Sequence, residues 1–98
     1  DKTAETRNPY HFATLEFKTH KLIDYENIEL IFKCFEDEDT YGKIVRGKGI
    51  LQNSEQNWYK FDYVENEIQE ENYYKEDIGA ICIIGYKLNK KNILKLFD

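Results

Sequence analysis

The chain has no apolar run long enough to cross a bilayer. Its longest strong one, Ile78 to Tyr86, falls well short of the roughly 20 residues a spanning helix needs. Positive charge is also scarce: 14 Lys and Arg stand against 19 Asp and Glu, for a net charge of -5. Without a basic face the chain does not read as a nucleic-acid binder, and it has nothing to hold an anionic membrane surface. The two cysteines are fewer than a small secreted disulfide scaffold carries. Cys34 and Cys82 both sit in apolar segments, so the count permits a single disulfide; the alternative is two buried thiols acting as small hydrophobes. Methionine is absent and no signal peptide is visible. The polar start, Asp1-Lys2-Thr3-Ala4-Glu5-Thr6, therefore reads as a processed or trimmed end, with a lean toward an exported or membrane-tethered protein.

What is present is enough for one core. Of the 98 residues, 41% are hydrophobic and 15% aromatic, which sets the chain apart from disordered types. The strongest local pattern surrounds Trp58. Tyr59, Phe61 and Tyr63 alternate with Trp58, Lys60, Asp62 and Val64, as in a strand buried on one face. Ala13, Leu15 and Phe17 alternate with Thr14, Glu16 and Lys18 in the same way. Lys43 to Gln52 gives another strand, where Gly47 and Gly49 clear space for a close neighbour. Ile78 to Leu88 is apolar on both faces. Such a strand belongs in the middle of the structure, or lies under an element packed over the sheet.

Ile28 to Glu36 is expected to be a strand on its β-branched and aromatic content, with a helix from Leu22 to Phe35 as the alternative. Asn66 to Asp77 reads as a loop or a short helix, and Ile93 to Phe97 as a last strand or a helical turn. The fold expected is mainly β: a single antiparallel meander of about six strands forming a curled sheet or small barrel, with room for one or two short helices. An α+β arrangement is the alternative. Residues 1–9 form a polar arm ahead of one β-rich domain spanning 10–98.

Chemistry-bearing motifs fail on inspection. Gly42 to Lys48 has phosphate-loop spacing up to its Lys, but Gly49 follows where Ser or Thr must hold the metal. Asp37, Asp39 and Gly42 match three places of a calcium loop, while Lys48 stands where a bidentate Glu is needed. His11 and His20 lie nine residues apart, on opposite faces of one strand, and share no metal site. The reading is therefore no enzyme, no cofactor, no metal and no catalytic residue.

Two acidic stretches remain, Glu36-Asp37-Glu38-Asp39 and the run holding Glu70 and Glu71 with Tyr73 and Tyr74 beside them. Tyrosines in a polar segment suit an interface, and adjacent carboxylates gain from a cationic partner. Together with Trp58, these residues define the expected binding surface. The function expected is a small acidic protein-binding module, of inhibitor or immunity type, that docks on a basic protein partner. A carrier of a small apolar ligand, or a structural domain of an exported lipoprotein, is the alternative.

Overall fold

The computed structural model describes residues 11–64, 67–72 and 78–98. Among these residues, five antiparallel strands form one open sheet: β1 (Ala13–Thr19), β2 (Lys43–Gln52), β3 (Trp58–Val64), β4 (Glu67–Asn72) and β5 (Gly79–Tyr86). Helices α1 (Tyr25–Cys34) and α2 (Glu38–Tyr41) separate β1 from β2, and α3 (Lys90–Leu96) follows β5. The strand order is β1-β5-β2-β3-β4. Strands β2, β3 and β4 run as a meander, and β5 returns beside β2, which is Greek-key order. The mainly β antiparallel fold is thus the one expected, realised as an open sheet rather than a barrel.

Strand parity decides the two faces. One face carries Leu15 on β1, Ile81 and Ile83 on β5, Leu51 on β2, and Tyr59, Phe61 and Tyr63 on β3, all buried. The aromatic strand therefore buries the side its alternation predicts. The three short helices lie against this face. From α1, Phe32 stacks on Tyr63 with ring centroids 4.5 Å apart and reaches Phe61 at 5.3 Å. On the same face at the β1 edge, Phe97 after α3 meets Phe17 of β1 edge to face at 5.1 Å.

Two glycines make this close packing possible. A Cβ on Gly47 would sit 2.8 Å from the Phe32 ring, and one on Gly49 would sit 2.5 Å from the Ala80 carbonyl oxygen. Their alternate spacing clears room in the way the sequence suggests. Between Ile44 and Arg46 the register of β2 against β5 slips by one residue. That bulge lets Ile44 and Gly47 both face the helices.

The segment expected as a strand from Ile28 to Glu36 is a helix. Ile28, Phe32 and Phe35 repeat at four and three residues and are buried together, so one helical stripe wins over β-propensity. Asp24 ties the start of α1 to the β2–β3 turn, because its Oδ1 accepts from the Ser54 amide at 2.8 Å. These hydrogen bonds from Ser54 hold the Asp24 carboxyl below the usual range. Ile93 to Phe97 is also helical: the Asn89 side chain caps α3 by accepting from the Asn92 amide, and Ile93 is fully buried. One expected strand is therefore a helix, and the last segment takes the helical one of its two expected forms. In exchange, the polar stretch after Asn66 contains a strand that was not expected, β4.

Cys34 and Cys82 are both free. Cys34 lies exposed at the end of α1, and Cys82 lies on the face of β5 that the helices leave bare. The sheet separates them, so the disulfide that the even count permits does not form.

Candidate functional site

The face opposite the helices is uncovered among the described residues. Three rows of paired side chains cross it. Thr14, Ile84, Arg46, Val64 and Glu67 stand in one register row. Glu16, Cys82, Lys48, Asp62 and Gln69 stand in the next. Lys18, Ala80, Ile50, Lys60 and Glu71 stand in the third. The last two rows line a broad, open groove of about 700 Å³.

Its floor is apolar. Ile50, Ala80 and Cys82 are half-buried at the centre, with Ile84 continuing the strip along β5. Its walls are charged and of mixed sign: Glu16 and Lys18 on β1, Lys48 on β2, Lys60 and Asp62 on β3, Glu71 on β4. Arg46 and Asp62 pair across β2 and β3 with Nη2 to Oδ2 at 3.1 Å and Nε to Oδ1 at 3.4 Å. Both side chains are close to half exposed, so the pair fixes geometry more than it adds stability. Burial pushes the Cys82 thiol up, the Glu16 carboxylate beside it acts in the same direction, and Lys48 opposes them. The thiol is thus held protonated, the opposite of an activated nucleophile. Neither His11 nor His20 lines the groove. Among the described residues no group of three or more His, Cys, Asp or Glu could hold a metal ion.

The expected binding residues do not share one surface. Glu36 precedes α2, Asp37 caps it by accepting from the Thr40 amide and hydroxyl, and Glu38 and Asp39 form its first turn. The acidic stretch is therefore a capped turn of helix, and Glu38 pairs with Lys43 at 3.5 Å. Trp58 lies toward the opposite end of the sheet, half-buried beside Gln52 and Gly79. Glu70 and Glu71 are neighbours on β4 but project to opposite faces. Glu71 borders the open groove, while Glu70 stands opposite Phe61 on the helix side, where burial raises the Tyr25 and Tyr59 hydroxyls and Glu70 adds to the effect. Tyr73 and Tyr74 lie outside the described residues. The phosphate-loop look-alike, Gly42 to Lys48, runs into β2 rather than opening a helix.

The groove itself leaves little mark in the sequence. Glu16, Lys18, Lys48, Lys60 and Asp62 looked like ordinary solvent-facing positions of their strands. The available signal was Ile50 and the second apolar face of β5, which sit where polar residues belong if that side met only water.

No protein-family model matches this chain, and no curated protein matches it in sequence. Among solved structures, it is similar in fold to the zinc-bound YjiA GTPase from E. coli. The TM-score is 0.71 at 18% identity, over 96% of this chain and 30% of the GTPase chain. A zinc-bound triple mutant of the same GTPase gives a TM-score of 0.70 at 16% identity, over 88% of this chain and 28% of that one. The chain thus spans under a third of the protein it resembles, and the likeness concerns the fold. Among the described residues no helix is long and apolar enough to cross a membrane.

Proposed function

We propose that this domain is a protein-docking module that binds through the open face of its sheet. The observation that carries the reading is the half-buried strip of Ile50, Ala80, Cys82 and Ile84, which the domain's own helices leave uncovered. An apolar strip framed by charged side chains has the anatomy of an interface, with a dry centre and a polar rim. The acidic residues of β4 and of the α2 turn favour a basic partner by steering the encounter. That is the inhibitor- or immunity-type reading carried by charge, with the open face as its contact surface. The carrier reading finds less support. The groove is open, and the sheet does not close into a barrel around a ligand.

The fold likeness supports a second reading. Over nearly its whole length this chain is similar in fold to a part of a GTPase. We therefore offer as a second reading that the domain serves as an accessory unit, with its open face set against a nucleotide-hydrolysing domain.

The test compares wild type with Ile50→Glu and Ala80→Glu, each checked by circular dichroism for an intact fold. The expected result is a partner from source-cell lysate that wild type retains, that both variants lose, and that salt elutes. Equal retention by wild type and both variants overturns the open-face assignment. A retained partner without nucleotide-hydrolysing activity removes the accessory reading and leaves the docking module.

A further inference from the structure

The sheet ends in two edges, and β4 forms one of them. Among the described residues β4 pairs as a strand only with β3, so one side of its backbone faces outward, where the Tyr25 hydroxyl donates a long hydrogen bond to the Ile68 carbonyl at 3.4 Å. The pairing with β3 is continuous, from Tyr59 opposite Asn72 to Val64 opposite Glu67, with no bulge to twist the edge away. No Pro and no Lys guards it. Only Ile68 is partly buried, and the other described positions of the strand are exposed. What this edge has instead is charge of one sign. Glu67 and Glu71 project to the open face, and Glu70 projects to the helix face. Lys60 of β3 stands opposite Glu71, inside the sheet rather than beyond its edge.

We propose that the β4 edge accepts an extended basic segment of a partner protein as a sixth, antiparallel strand. The backbone groups of an unpaired edge are satisfied by strand addition, a general mode of peptide recognition. The three glutamates then set the selectivity. A second copy of β4 would place carboxylate near carboxylate across the new pair, which opposes self-association. A segment with Lys or Arg opposite these residues forms favourable cross-strand pairs on both faces of the extended sheet. Antiparallel pairing fixes the spacing. Residues opposite Glu71, Glu70 and Glu67 occupy positions j, j+1 and j+4 of the added strand. The recognition pattern is therefore two adjacent basic residues, two others, then a third basic residue, in an otherwise β-prone sequence. This proposal concerns the edge, and it stands whether or not the open face docks a protein.

The probe is a labelled, acetylated octapeptide, Thr-Lys-Lys-Val-Thr-Lys-Val-Thr, titrated onto the intact domain at low salt and followed by fluorescence anisotropy. Saturable binding is expected, weakened about tenfold or more by Glu67→Lys with Glu71→Lys. Methylating the peptide's backbone nitrogens one at a time separates strand pairing from simple charge attraction and needs no protein variant. Alternate methylations should abolish binding while those between leave it intact, because only every second amide points at β4. Equal binding by all the methylated peptides, or no saturable binding by the parent, overturns the proposal. Ile50→Glu should leave peptide binding unchanged, which keeps this test distinct from that of the open face.

Discussion

The two faces of the sheet are built from the same five strands by residues of opposite parity, and they solve different problems. On the helix side, large rings and aliphatic chains fill the space so fully that Gly47 must lack a side chain for Phe32 to lie down. On the open side, half-buried apolar atoms alternate with long charged chains that reach over them. The first arrangement holds the fold together; the second keeps an apolar strip soluble without covering it. Substitutions on the first face should therefore register as lost stability. Those on the second should register mainly as lost binding.

The largest effect is expected from Phe32→Ala. It empties the centre of the aromatic stack with Tyr63, Phe61 and Phe35, and should cost about 3–5 kcal/mol in chemical denaturation. Gly47→Ala should cost about 1–3 kcal/mol, because the added methyl meets the Phe32 ring and Ile83 and one of them must shift.

Tyr59→Phe removes the hydroxyl that donates to the Ile23 carbonyl at 2.6 Å, at a cost of about 1 kcal/mol. It should also change the alkaline response. Burial, with help from nearby Glu70 and Asp24, raises the Tyr59 hydroxyl above the ordinary range, so the folded protein keeps a proton that the unfolded chain releases. This contribution to stability is complete below about pH 10 and is lost as pH rises beyond it. Denaturation midpoints measured from pH 8 to 11 should fall less steeply in Tyr59→Phe than in wild type.

On the open face, Cys82→Ser and Ile50→Thr should each change stability by no more than about 0.5 kcal/mol. Losses as large as those at Phe32 would show that this face is part of the core. Comparably small, a double-mutant cycle on Arg46 and Asp62 should give a coupling of about 0.2–1 kcal/mol that shrinks with added salt.

Much of the fold was legible in the sequence, for reasons tied to particular residues. The alternation at Tyr59, Phe61 and Tyr63 identified a strand and the face it buries. The double apolar character of Ile81 to Ile84 identified β5 as central, and it does lie between β1 and β2. The glycine pair in β2 announced a close approach. Illegible parts were those where local preference and tertiary demand diverge. Ile28 and Ile31 favour strands, yet the sheet needed a cover, and the stripe of Ile28, Phe32 and Phe35 supplied one. β4 gave no signal, because an edge strand with Ile68 as its only partly buried position has no hydrophobic alternation to read. The groove escaped because its walls are ordinary surface residues. It exists through strand register, which brings Lys18 and Lys60 from distant parts of the chain into the row of Ile50, next to Lys48 of the same strand.

The position of β5 bears on how the sheet can assemble. It is the last strand in sequence and sits between the first strand and the second, with Ala13 opposite Gly85. During synthesis β1 waits without its neighbour until residues 79–86 have left the ribosome, while β2, β3 and β4 can already form a meander. Pairings this distant in sequence slow folding, since a long loop must close before they reward it. A chain interrupted before Gly79 would lose the strand that pairs with both β1 and β2, and with it the continuity of the sheet, rather than leave a smaller copy of the domain.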